Sequence, residues 1–458
     1  MASALATTTL KLPSVRDNRK MSTDSLLLVG VFSLLFFGPL AFGAVEPWAI
    51  FVLEAGAATL VAVWLRKQST NGEFRLRHNP LYLPMAAFAA IVLVQVLFGW
   101  TAYRHDTISK ALLYVAYGLL AFLANLSLRR NSQARMLALA ISGYGVAVAG
   151  FALMQGLSPN GKLYWLRTAN FGGWIYGPYV NHNHYAGLME MLIPVPLVLC
   201  LTRHADSRMR KVAAIGAALM AGTIFFSGSR GGMLALIVEL VLLAVVFVKM
   251  ESGTRAAASL VFFAVVVAVL LVWIGGLELT NRIASIGSET KQELSGGTRW
   301  TIDKDSFRMF VRKPIMGWGF GTFPTVYPQF RTFYTNLYVT DAHNDYLQQL
   351  AETGALGFAT MVWFLVTMYR NAWKKLRDWP NEITGAVALA CMLGCTGILV
   401  HSFVDFNLQI PANAAWFYVL CVLGASPHVL ESHRRVRRSR HESASGSNAE
   451  SPNPEHSA

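Results

Sequence analysis

Four short stretches of this 458-residue chain carry side chains able to hold an anion or move a proton. Ser227-Gly228-Ser229-Arg230-Gly231-Gly232 sets an arginine in a turn between two apolar blocks. Gly and Ser account for the turn as a hairpin. Arg230 needs more, because a charge at an apolar boundary with no acidic neighbour in sequence normally has a functional partner, and the planar guanidinium suits a phosphate. In Asp341-Ala342-His343-Asn344-Asp345 an imidazole stands between two carboxylates, a pattern that favours a titrating base, although a lone His at a helix start also serves as a cap. His182 and His184 lie two apart in Asn181-His182-Asn183-His184-Tyr185. That spacing suits a metal, but no third ligand is evident, so hydrogen bonding to a polar substrate is the preferred reading and neither a metal nor another cofactor is expected. His401 and Asp405, one helical turn apart, read as a network behind a site or as polar glue between helices.

The elements that position these groups are membrane spans. The chain is 54% hydrophobic and only 14% charged, against roughly 25% charged in an average soluble domain. Twelve apolar blocks approach the ~20 residues needed to cross a bilayer: 26–45, 47–65, 80–99, 108–127, 135–156, 186–201, 211–228, 231–250, 256–276, 351–369, 383–403 and 412–426. The weakest are 186–201, broken by Pro194 and Pro196, and the short last block. Cys200, Cys391, Cys395 and Cys421 lie inside such blocks as small buried hydrophobes. The expected fold is therefore all-α, a polytopic bundle of about 12 transmembrane helices.

The net charge of +14 raises a nucleic-acid reading, which the placement of the charges removes. With the N-terminus inside, two thirds of the 39 Lys and Arg fall in short cytoplasmic connectors and the two tails, as the positive-inside rule requires. The polar segments 1–25 and 431–458 read as disordered cytoplasmic tails, 26–276 as helices one to nine, and 345–430 as the last three. Ala41-Phe42-Gly43-Ala44 faintly resembles a signal-peptidase site, but a 20-residue span behind a long leader favours a retained anchor.

All four candidate stretches then face outward, as does a 68-residue loop, 277–344, far longer than a connector. Within it Thr298 is placed to cap a helix from Arg299 to Lys313, halted by Pro314. Trp300, Phe307, Phe310 and Val311 share a face of that helix, which predicts that it lies on the bilayer surface or covers the bundle. Gly317-Trp318-Gly319-Phe320-Gly321 invites a phosphate-loop reading, but no strand precedes it, and a tight interfacial turn is preferred.

In order and spacing, several of these pieces resemble the O-antigen ligase family, which shares its core domain with O-antigen polymerases. They are SGSRGG (227–232), GTRW (297–300), GWGFGTF (317–323), HNDYLQQLAETG (343–354) and HSFVDFNLQIP (401–411). The resemblance implies a glycosyltransferase of the C type in the bacterial inner membrane. Such enzymes move a glycan from undecaprenyl diphosphate to an acceptor at the periplasmic face, by inversion and without metal. The acceptor implied is lipid A–core for a ligase and another glycan repeat for a polymerase. Carried over, Arg230 and Arg299 match the arginines thought to hold the diphosphate, and His343 the histidine thought to activate the acceptor hydroxyl. His182, His184, Asn344, Tyr346, His401 and Asp405 are the further expected substrate contacts.

The residues are compatible with that chemistry. A lipid diphosphate leaving group is already anionic and needs its growing charge neutralised rather than protonated, which two guanidinium groups can do in place of Mg²⁺. An attacking hydroxyl needs a base near neutral pH, which suits imidazole. Competing readings are a polymerase, a protein O-oligosaccharyltransferase and, of another class, a polysaccharide transporter or flippase. Against the last, Glu54, Glu190 and Glu239 are the main ionisable groups inside the spans, whereas transporters place their sites near the midplane.

Overall fold

A computed structural model describes residues 23–72, 76–168, 175–203, 205–250, 261, 265, 296–335 and 338–431. The described chain is an all-α bundle. Its first helices are α1 (Thr23–Leu40), α2 (Pro47–Asn71), α3 (Tyr82–Leu97), α4 (Arg104–Ser127) and α5 (Asn131–Leu157). A two-residue-stranded hairpin, β1 (Lys162–Leu163) and β2 (Arg167–Thr168), follows. Then come α6 (His182–Leu192), α7 (Pro194–Leu201), α8 (Ser207–Ser227), α9 (Arg230–Met250), α10 (Gly296–Arg312), α11 (Asp345–Trp373), α12 (Ile383–His401) and α13 (Pro411–Ala425).

Among the described residues nine helical segments are long and apolar enough to span a membrane, with α6 and α7 forming one of them; α3 and α13 are shorter apolar helices. Eleven of the twelve expected blocks thus coincide with apolar helices, and the ninth, 256–276, lies outside the described residues apart from 261 and 265.

Local chemistry sets the helix ends. Pro47 opens α2, the Asp206 side chain accepts from the Met209 amide to cap α8, and Gly228 closes α8 in the left-handed region. One expected cap is displaced. Thr298 lies inside α10, which already runs from Gly296, so its hydroxyl is not at the helix start. The innermost helices are α12 and α13, whose residues are almost all buried. Gly and Ala let their backbones approach closely, as small residues do where lipid supplies no hydrophobic drive between helices. Cys395 and Cys421 meet there with sulfurs 3.5 Å apart as free thiols, consistent with the packing role read from sequence.

The two ends of the bundle differ. At one end Lys67 and Arg129 pair with Asp24 at 2.7 and 3.7 Å, Arg77 donates to the Asn125 and Leu128 carbonyls, and Lys375 donates to the last carbonyls of α13. At the opposite end the last turn of α8 and the starts of α6, α9 and α11 surround the α12–α13 loop, residues 402–410. The candidate residues gather at this second end.

Candidate active site

The 402–410 loop brings one carboxylate, Asp405, to the centre of the group. Its side chain is buried, its amide donates to the His401 carbonyl (3.1 Å), and its Oδ1 accepts from the Phe406 amide (2.8 Å). His184 Nε2 lies 3.8 Å and His343 Nδ1 3.7 Å from Oδ1, and Arg299 Nη1 lies 4.0 Å from Oδ2. These are ion-pair separations, too long for hydrogen bonds. Arg299 also donates to the Val404 carbonyl at 3.1 Å. The Phe406 ring stands edge-to-face against both imidazoles, with centroids 4.7 Å from His184 and 4.8 Å from His343. Each histidine is therefore held between a carboxylate and an aromatic ring. Burial alone would push the Asp405 carboxyl up, but the flanking His184 and His343 outweigh it and hold the acid well below the usual carboxylate range.

The expected partners of His343 are corrected. Asp341 accepts from Gln348 Nε2 (3.2 Å). Asp345 is buried and accepts from Ser402 Oγ (2.8 Å), the Leu408 amide (3.1 Å) and Gln409 Nε2 (2.9 Å). Asp345 thus pins the loop that carries Asp405, while the imidazole's carboxylate comes from 62 residues downstream. Asn344 is committed to local structure: its carboxamide oxygen accepts from the Tyr346 and Leu347 amides, capping α11. His343, just before it, sits at φ 55°, sparsely populated for a residue with a side chain and a form of strain that clusters at functional sites. Tyr346 donates its hydroxyl to the Leu399 carbonyl (2.7 Å) and packs on Phe403. Neither Asn344 nor Tyr346 joins the Asp405 cluster.

On the opposite wall, His182 Nδ1 bonds the Ser227 carbonyl (2.7 Å) and so braces the turn that leads to Arg230. Arg230 is exposed and opens α9. Its neighbour Gly231 abuts both His401 and Val404, so Arg230 and Arg299 approach the same short segment, 401–405. His401 itself is buried, with Nδ1 2.7 Å from Glu190 Oε1.

Two groups near the cluster escaped the sequence reading. Asp303 lies one turn beyond Arg299 on α10, an i,i+4 spacing that was the available signal. Burial raises its carboxyl to about 6 against the opposing pull of His343 and Arg299. Phe406 carried no signal, since an aromatic residue in an apolar stretch reads as core.

The glycine run also turns out differently from a phosphate cradle. Gly317, Gly319 and Gly321 all take positive φ (69°, 115° and 78°), which side chains resist. The amides of Gly321 and Phe323 donate to the two oxygens of buried Glu352, at 2.8 and 3.2 Å. The anion in this nest is the chain's own carboxylate, which ties the loop to α11. On α10, Ile302 and Met309 are buried with Phe323, Val326 and Tyr327, while Trp300, Phe307 and Val311 stay exposed. The aromatic stripe faces away from the protein, while the opposite face of α10 packs onto it.

Behind the loop lies an apolar cavity of about 580 Å³, walled by residues such as Met85, Phe88, Tyr114, Phe364 and Tyr418. Asp345, Gln349 and Gln409 also line it.

No curated protein matches the sequence. A family model described as O-antigen ligase matches residues 215–362. The match takes in Arg230, Arg299, the glycine run and His343–Gly354, while His184, His401 and Asp405 lie outside it. Over residues 215–362, therefore, this membrane protein is similar to the O-antigen ligase family.

Proposed function

We propose that the protein is a glycosyltransferase of the C type that transfers an undecaprenyl-diphosphate-linked glycan to lipid A–core, at the periplasmic face of a bacterial inner membrane. The observation that carries this reading is the convergence of Arg299, His184 and His343 on Asp405, with Arg230 opening α9 beside them. The concentration of basic side chains at the opposite end supports the sidedness.

Arg230 and Arg299 take the diphosphate, aided by the positive end of α9. His343 is the base. Its side chain is 14% exposed against 9% for His184, so it is the more accessible of the two imidazoles beside Asp405. The acceptor hydroxyl attacks the anomeric carbon and passes its proton to His343. The bond from that carbon to the phosphate oxygen breaks on the opposite side, and the lipid diphosphate leaves with the electron pair, giving inversion. Asp405 stabilises the imidazolium that forms, across an ion-pair separation of 3.7 Å. The arginines act on the leaving oxygen, where positioned donors commonly contribute ~10²–10³ in rate. The apolar cavity behind the loop suits a lipid chain bound with its headgroup at the polar end.

The test is reconstitution with lipid-linked glycan and lipid A–core in EDTA, with product mass as the readout. Glycosylated lipid A–core is the expected product. Elongated lipid-linked glycan instead would mark a polymerase with the same chemistry. Absence of any transfer by well-folded protein would end the proposal.

A further inference from the structure

Beneath the arginines lies a file of buried ionisable groups that the reaction outlined above does not use. His401 closes α12 and its side chain is 1% exposed; Glu190 on α6 is fully buried. Their Nδ1–Oε1 separation of 2.7 Å is that of a charge-assisted hydrogen bond. Glu239 of α9 lies on the side away from the loop, against Gly397, one turn before His401. A carboxylate at this depth is costly, and in a membrane bundle such a group is a functional candidate by default.

The glycines of the Ser227–Gly232 motif show what the pair is for. A Cβ on Gly231 would lie 2.5 Å from both Cδ2 and Nε2 of His401, and one on Gly232 would lie 3.1 Å from Glu190 Oε1. The first turn of α9 is therefore glycine where these two side chains tuck beneath it. With Nδ1 turned to Glu190, the opposite edge of the imidazole, Nε2, faces the residue next to Arg230.

We propose that Glu190 is a positioning residue which holds His401 as an imidazolium, its Nε2–H presented beside Arg230 as a third cationic donor to the diphosphate. Two guanidinium groups reach the anion from the open side, and the imidazolium supplies a short, rigid donor from below. Its orientation is set before substrate arrives, so little reorganisation accompanies binding. The inference rests on the donor assignment made under Proposed function.

The experiment has two readouts on the full-length protein. The first is equilibrium binding of undecaprenyl diphosphate, the leaving group itself. Glu190→Gln keeps a hydrogen-bonding oxygen for Nδ1 but removes the charge, and should weaken binding about ten-fold, the value of one hydrogen bond to a charged group. Glu239→Gln removes an adjoining buried carboxyl with no contact to His401 and should leave binding unchanged. The second readout is ¹⁵N NMR of the histidine side chains, with His401→Asn assigning the resonance. Wild type should show both ring nitrogens of His401 protonated at neutral pH, and Glu190→Gln only one. A neutral His401 in wild type overturns the inference even if the variant does not fold. So does equal binding by Glu190→Gln and wild type, or an equal loss in Glu239→Gln, which would reduce the effect to packing. If wild type does not bind the diphosphate at all, the functional reading itself falls and takes this inference with it.

Discussion

His343 Nδ1 lies 3.7 Å from Asp405 Oδ1, although the two residues open different helix–loop junctions and His343 has an aspartate two residues away on either side. Those nearer carboxylates are engaged with Gln348 and with the 402–409 loop. Asp405 is thus the carboxylate placed to stabilise the charged form of the base. Asp405→Asn removes that charge with little change in shape. We expect transfer to fall by roughly 10²–10⁴, the usual worth of general acid–base assistance. Turnover of purified protein with lipid-linked glycan measures it, and a rate within a few-fold of wild type would remove Asp405 from the mechanism.

Arg299 reaches both the Val404 carbonyl and the Asp405 carboxylate, which uses the breadth of a guanidinium. Arg299→Lys keeps the charge and loses the fork, so it should behave as a loss of function rather than a conservative change. Arg230→Ala, Arg299→Ala and His343→Ala should each lower transfer by about 10²–10³ or more while the protein still inserts. Wild-type turnover by the three alanine variants would refute the assignment.

Asp303 gives a pH signature. Burial lifts its carboxyl to about 6, so it is anionic above that value and gains its proton as the pH falls through it. Where it is anionic it supports a positive His343. The ratio of wild-type to Asp303→Asn rates should therefore exceed one above pH 6 and approach one below it. A ratio constant from about pH 5 to about 8 would show that the titration of Asp303 does not bear on catalysis.

Asn344 separates structure from binding. Its oxygen caps α11 through two backbone amides, so Asn344→Ala should cost about 1 kcal/mol of stability. The donor and acceptor KM values should stay near wild type. Thermal unfolding of the detergent-solubilised protein tests the first point and steady-state kinetics the second; a raised acceptor KM with unchanged stability would return Asn344 to the substrate contacts.

What the sequence determined by itself is the class of molecule and the inventory of its chemistry. Apolar blocks are legible because burial in hydrocarbon constrains every residue of a span, and the basic connectors are legible because charge is placed by position along the chain. Arg230 stood out because it broke that pattern, and His343 because its neighbours were acidic. The tertiary structure decided which groups meet. Asp405 replaced the adjacent aspartates because Asp341 is bonded to Gln348 and Asp345 to the 402–409 loop, whose fold brings Asp405 to the imidazole. Glu352 filled the glycine nest because an anion twenty-nine residues beyond Phe323 folds back onto it. Glu190 met His401 across 211 residues because glycines at 231 and 232 leave room beneath α9. Each pairing depends on loop closure and helix packing between distant segments, and those are settled by the sum of contacts across the bundle rather than by any local pattern.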